Sequence, residues 1–330
     1  MEPSRDPISQ LEVITRTDFA EEDTELAEIE VGESLEAASG GRKTIRVVVS
    51  KAESFRTRVG YDTDFLKGWH IPLPEPLGKR KNDMRPLRRG GTGVVLRYEH
   101  FSTVQSIERR MPMFVAVNID GTTERRITRT SIPWRFDGRL DLSDQIGDEV
   151  YSERKNVLDR GHMVRREDPN WGDMATARRA NVDTFHFTNS CPQIGAVNQQ
   201  VWLGLENYVL RNTRDHDMRV SVFTGPVFTK HDLLYRGALV PRSFWKVVAV
   251  VDEDSRPSAT GYEISQDEAL SDLEFAFGAY KTYQVSIRSI EKKTALSFGA
   301  LVKYDGFSMA EESAHRPRRV RLDSLEMVQV

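Results

Sequence analysis

The sequence predicts an α+β fold: a mixed or antiparallel sheet core with helices. Three observations carry this. Apolar, β-branched runs of strand length recur along the chain. Apolar residues at helical spacing occur in separate stretches. The two kinds interleave without the regular strand–helix period of a parallel doubly wound sheet.

In chain order, TIRVVVS (44–50) alternates and is β-branched, so an early strand is expected. The Pro-rich WHIPLPEPLG (69–78) and the basic KRKNDMRPLRRGGTG (79–93) read as loop. The glycines there form no phosphate loop, because no Gly-Lys-Ser/Thr ending between a strand and a helix is present. Strands are expected at GVVLRYEHFS (93–102) and MFVAVNID (113–120), the second ending in an Asp-Gly turn. Arg125, Arg126, Arg129, Arg135 and Arg139 crowd the next stretch. VSVFTGPVF (220–228) and FWKVVAVVD (244–252) read as buried strands, with Gly225-Pro226 at a bend or edge. YQVSIRSIEKKTAL (283–296) starts as a strand and turns helical near Ser289, and HRPRRVRLDSL reads as a basic surface arm.

The 330 residues are 38% hydrophobic and 29% charged, an ordinary soluble balance. No run of eighteen apolar residues is present, so no membrane partner is expected. The opening MEPSRDPISQ lacks the apolar stretch of a secretory signal. Cys191 is the single cysteine, which excludes an intrachain disulfide framework or a multi-cysteine zinc site. Together these predict a cytoplasmic protein. The net charge of −3 conceals a division: residues 1–40 hold twelve acidic residues against two arginines, so the remainder is net basic. Residues 1–55 are therefore read as an acidic N-terminal segment, either a disordered, solvated tail or a regulatory cover for a basic surface. Residues 56–330 form the main domain.

The stretch LDRGHMV (158–164) places an arginine and a histidine two apart, around a glycine. In an extended chain Arg160 and His162 share a face, roughly 7 Å apart. Gly161 between them leaves the backbone open to close approach. A permanent cation grips phosphate oxygens while an imidazole handles a proton. Further on, DTFHFTN (183–189) reads as a second strand, followed by a turn through Pro192 and Gly195 and then a helix. That helix carries Val201, Trp202, Leu205, Val209 and Leu210 at helical spacing, with Asn198, Trp202 and Glu206 along one stripe. The whole is a strand–strand–helix unit. His186 alternates with Phe185 and Phe187 and reads as a core or edge residue, Cys191 as a buried thiol.

The run D-R-G-H (159–162), then T-N-x-x-P-Q (188–193), then N-Q-x-x-W-x-x-L-E (198–206), resembles the DNA/RNA non-specific endonucleases, the ββα-metal nucleases that include endonuclease G. The resemblance extends from about residue 59 to about residue 305, and residues 1–55 have no counterpart in it. It implies a ββα-metal endonuclease domain over 56–330, acting on DNA and RNA. His162 would be the general base and Asn198 the direct ligand of Mg²⁺, with Mn²⁺ able to substitute. Arg160 would contact phosphate, Glu206 and Asn189 would lie near the metal and its waters, and Asp159 would support the site from behind. The upstream arginine of such enzymes falls on Arg135. Homodimers are frequent among them. One neutral ligand suits magnesium, which keeps several waters. The alternative is a catalytically silent nucleic-acid-binding or partner-regulated protein, which loss of His162 or Asn198 would favour; both are present. A non-specific nuclease in its own cytoplasm needs restraint, so an inhibitor or regulatory partner, as for a host-defence effector, is expected.

Overall fold

The structure is a computed structural model that describes residues 11–15, 26–33, 44–151, 158–195, 213, 218–252, 254–266, 281–314 and 318–322. The strands that build the main sheet and the site are, in chain order, β1 (Thr44–Ser50), β2 (Val95–Arg97), β3 (Phe101–Gln105), β4 (Pro112–Asp120), β5 (Phe136–Asp137), β6 (Leu158–His162), β7 (Ser190–Ile194), β8 (Arg219–Pro226), β9 (Ser243–Val251), β10 (Pro257–Ser265), β11 (Lys281–Val285) and β12 (Arg319–Arg321). The α-helices used below are α1 (Met174–Asp183), α2 (Ile287–Thr294) and α3 (Gly306–Ala314).

Eight strands form one sheet in the order β12-β11-β10-β9-β8-β4-β3-β2. Every neighbouring pair in it is antiparallel. The fold class is thus the α+β arrangement expected, with the large sheet fully antiparallel. All nine residues of β4 are buried, so the sheet is covered on both faces. α2 adds Ile287 and Ile290 to the core, and Phe298 packs edge-on against Trp245 at 5.2 Å. Elsewhere Thr103 Oγ1 and Gln105 Nε2 of β3 both donate to the Thr188 carbonyl, at 3.3 and 2.6 Å. They anchor the chain just before β7 to the sheet, and so fix where the short β6–β7 hairpin sits.

The division at residue 55 falls too late. β1 runs parallel to β5, and Val49, Ala52 and Phe55 are buried in the common core. The backbone of Leu11–Thr15 and Leu26–Glu33 adds two further strands alongside β1, so these stretches of the acidic segment are sheet rather than tail.

The wall behind β6 is welded by a buried network. Asp137 takes two hydrogen bonds from the Arg139 guanidinium (Nε–Oδ1 3.0 Å, Nη2–Oδ2 2.6 Å) and one from the Tyr98 hydroxyl at 2.5 Å. Arg139 also lies over the Phe55 ring at 3.7 Å. Burial alone would raise the Asp137 carboxyl, but the Arg139 charge and these hydrogen bonds outweigh it and hold it below its ordinary value.

Candidate active site

β6 and β7 pair antiparallel in a two-stranded hairpin, with Ser190 opposite His162, Pro192 opposite Arg160 and Gln193 opposite Asp159. The first strand is where the sequence places it. The second is not: it is Ser190–Ile194, while 183–189 is the end of α1, a turn and a single 3-10 turn. A proline can sit mid-strand here because β7 has one strand partner among the described residues. The Ile194 N–H points away from β6, to Gln266 Oε1 at 2.9 Å. Two residues earlier on the same side, Pro192 therefore has no ladder bond to lose.

Alternation puts Arg160 and His162 on one face of the hairpin, and Asp159, Gly161, Cys191 and Gln193 on the other. What approaches Gly161 closely is Gln193: a Cβ there would stand 2.0 Å from Gln193 Oε1. Gly161 thus makes room for a buried side chain, not for an external ligand. The Asp159 carboxylate lies against Gly195, 3.2 Å from the place of a Cβ, on the chain leading to residue 198. Cys191 is fully buried, and burial pushes its thiol up.

His162 is clamped between aromatic rings, Trp134 at 4.7 Å and Phe185 at 5.1 Å, the latter perpendicular. Its Nε2 is enclosed and has no hydrogen-bond partner among the described residues. Burial, then the charges of Arg166, Arg129 and Arg165, push it down to about 3. The ring is therefore neutral across the physiological range. Those three arginines make the surroundings of His162 electropositive. Arg129 belongs to the arginine-rich stretch read from the sequence, whereas Arg165 and Arg166, just past the D-R-G-H motif, were not singled out. Arg160 is held by Asp148, with Nε 3.0 Å from Oδ1 and Nη2 on the same oxygen, and its guanidinium lies 5.2 Å from the Tyr151 ring centre.

Two expected site residues are placed otherwise. The Asn189 amide is spent on backbone: Oδ1 accepts from Val164 N–H at 2.8 Å, and Nδ2 donates to the Val164 and Thr184 carbonyls at 2.9 and 3.0 Å. Fully buried, it continues the hairpin past His162 and fixes the backbone of the two residues that follow. Arg135 follows Trp134, so it faces the opposite side of the wall, into a cavity with His186. Asn198 and Glu206, like Trp202, lie outside the described residues.

Among the described residues no three His, Cys, Asp or Glu side chains gather as a metal cage. No helix among the described residues is long and apolar enough to cross a membrane.

The sequence matches the DNA/RNA non-specific endonuclease family over residues 84–305, more than half of the chain. The uncharacterized protein y4fB of Sinorhizobium fredii is 39% identical over 298 residues, 83% of this chain and 44% of that protein. Nuclease C1 of Cunninghamella echinulata is 30% identical over 43% of this chain and 56% of its own. Human mitochondrial endonuclease G is 28% identical over 44% of this chain and 49% of its own. The chain thus spans about half the length of the curated relatives it matches. An EndoG chain solved in complex with EndoGI shares the fold, with a TM-score of 0.50 at 18% identity over 68% of this chain and 93% of that one. The chain belongs to the DNA/RNA non-specific endonuclease family.

Proposed function

We propose that this chain is a metal-dependent endonuclease that hydrolyses phosphodiester bonds of DNA and RNA without reading sequence. The observation that carries the reading is His162: a neutral imidazole with an unsatisfied nitrogen, on the motif strand, among arginines suited to a phosphodiester. His162 accepts the proton of the attacking water. Arg160 exchanges Asp148 for a phosphate oxygen and holds the reacting group. Arg129, Arg165 and Arg166 draw the anionic backbone toward the ring. Asn198 would hold the metal directly and Glu206 would help hold the water around it, with Mg²⁺ the expected ion and Mn²⁺ a substitute. When bound, the ion supplies charge that polarises the phosphodiester and stabilises the leaving 3′-oxygen. Asp159 and Asn189 keep the hairpin in register behind these groups.

The test is cleavage of supercoiled plasmid and single-stranded RNA by the full chain. Both are expected to be cut with Mg²⁺ and left intact in excess EDTA. Cleavage that persists in EDTA sinks the metal-dependent reading, and inertness of the full chain towards both substrates counts against the enzyme.

The activity is kept in check by a protein inhibitor or by the acidic N-terminal segment, in the way the EndoG neighbour was solved with a partner described by its inhibition. Deleting residues 1–40 raises basal cleavage several-fold if the segment is the restraint. An unchanged rate and salt response leaves the restraint to a separate protein.

A further inference from the structure

Behind the His162 wall lies a cavity of about 310 Å³, lined by Arg58, Arg135, Arg178, Arg179, Ser50 and His186 among others. It is separated from the nuclease site by one layer of chain. Trp134 and Phe185 face the imidazole, and the next residue after each, Arg135 and His186, faces the cavity. Nothing in the D-R-G-H chemistry uses this space.

Its lining is one-sided in charge. Four guanidiniums reach it, and among the described residues Asp183 is the one carboxylate in the lining. That carboxylate is already committed, to Arg58 Nε at 2.8 Å and to the Glu99 backbone N–H at 3.0 Å. Arg179 is matched from outside the lining by Glu99, at 2.7 Å. Arg178, exposed on α1, has no ion pair among the described residues.

The remaining polar groups are occupied as well. His186 Nδ1 faces the Asp183 carbonyl at 2.8 Å and must carry the proton, so Nε2 accepts from the Ser50 hydroxyl, also at 2.8 Å. The Ser54 hydroxyl donates to the Lys51 carbonyl. Guanidinium N–H groups are thus the donors the cavity can offer to a guest, and nearly every acceptor is spent. Such a lining repels cations and leaves a neutral polar guest half satisfied. It matches a group with several anionic oxygens, which arginine forks bind two at a time. The volume is about ten times the share of one water molecule, at the low end of small-ligand pockets and larger than a single phosphate fills.

We propose that this cavity is a second phosphoryl-binding site, distinct from the site at His162. Its guest is a phosphate-bearing group, either on a free nucleotide-like compound or on the backbone of bound nucleic acid. The inference does not depend on the nuclease reading.

The test uses the full chain in EDTA, so that no metal-bridged phosphate binds at His162. Pyrophosphate is titrated calorimetrically at fixed ionic strength. Wild type is expected to bind it saturably. Arg178→Glu, an exposed change that spares the core, and Ser54→Glu, which sets a carboxylate at the cavity lining, should each weaken binding tenfold or more. Arg160→Ala should leave it unchanged. Absence of saturable binding to wild type, or loss in Arg160→Ala with retention in Arg178→Glu, overturns the proposal. Anisotropy of a labelled single-stranded oligonucleotide in the same buffer identifies the source. Weakening by Arg178→Glu assigns the site to backbone phosphate. Loss of pyrophosphate alone assigns it to a free compound.

Discussion

Replacing His162 by alanine is expected to lower kcat on both plasmid and RNA by about 10³-fold, within the range a general base contributes. The change should leave the fold intact, since Nε2 makes no hydrogen bond among the described residues and the ring lies between aromatic neighbours. A circular dichroism melt alongside the assay separates lost chemistry from lost structure. A variant that melts like wild type and retains a tenth of its rate removes His162 from the mechanism. The pH profile offers a second check. The free protein holds the ring at about 3, so its neutral, proton-accepting form persists as pH falls through 6.5. The acid limb of kcat/KM, which reports the free enzyme, should therefore lie below about pH 5. A bound phosphodiester places negative charge beside the ring and raises its proton affinity. The acid limb of kcat should accordingly lie at higher pH than that of kcat/KM.

The largest stability effect is expected at Arg139. Removing it as Arg139→Ala strands the buried Asp137 charge and should cost about 3–5 kcal/mol in urea unfolding. In wild type the Asp137 carboxyl is held low, so its contribution is present above its ordinary range and is lost as pH falls through the depressed value. Without Arg139, burial raises the same carboxyl. The gap between variant and wild type should then be widest near neutral pH and narrow on acidification. A penalty below 1 kcal/mol would mean that the Phe55 and Tyr98 rings and water compensate for the lost ion pair.

The strands of the large sheet were legible because Val, Phe, Ile and Ala recur through them, as in β4, β8 and β9. The D-R-G-H strand was legible from its motif. α1 was not: it buries Ala177 and Ala180, residues too small to give an apolar period. The second hairpin strand was misplaced because Thr-Phe-His-Phe alternates like a strand. That alternation instead serves a wall with two different sides, bridged to Arg135. Arg135, expected beside His162, faces the cavity for the same reason. A shift of one residue changes which side of the wall a side chain faces, and this depends on pairing partners far away in the chain. Asn189 has the residue type of a metal-site ligand, and only its three backbone partners reveal the structural use.

The ion pair between Arg160 and Asp148 bears on how binding responds to salt. A cation with no intramolecular partner, on meeting a nucleic-acid phosphate, sets free a condensed counterion and steepens the salt dependence by roughly 0.9 per contact. Arg160 must first leave a carboxylate, and the vacated Asp148 then gathers cations of its own from solution. Release on one side is offset by uptake on the other. A shallow salt titration would therefore be compatible with a well-gripped phosphodiester, since it counts the arginines that start out unpaired and passes over those that merely change partners.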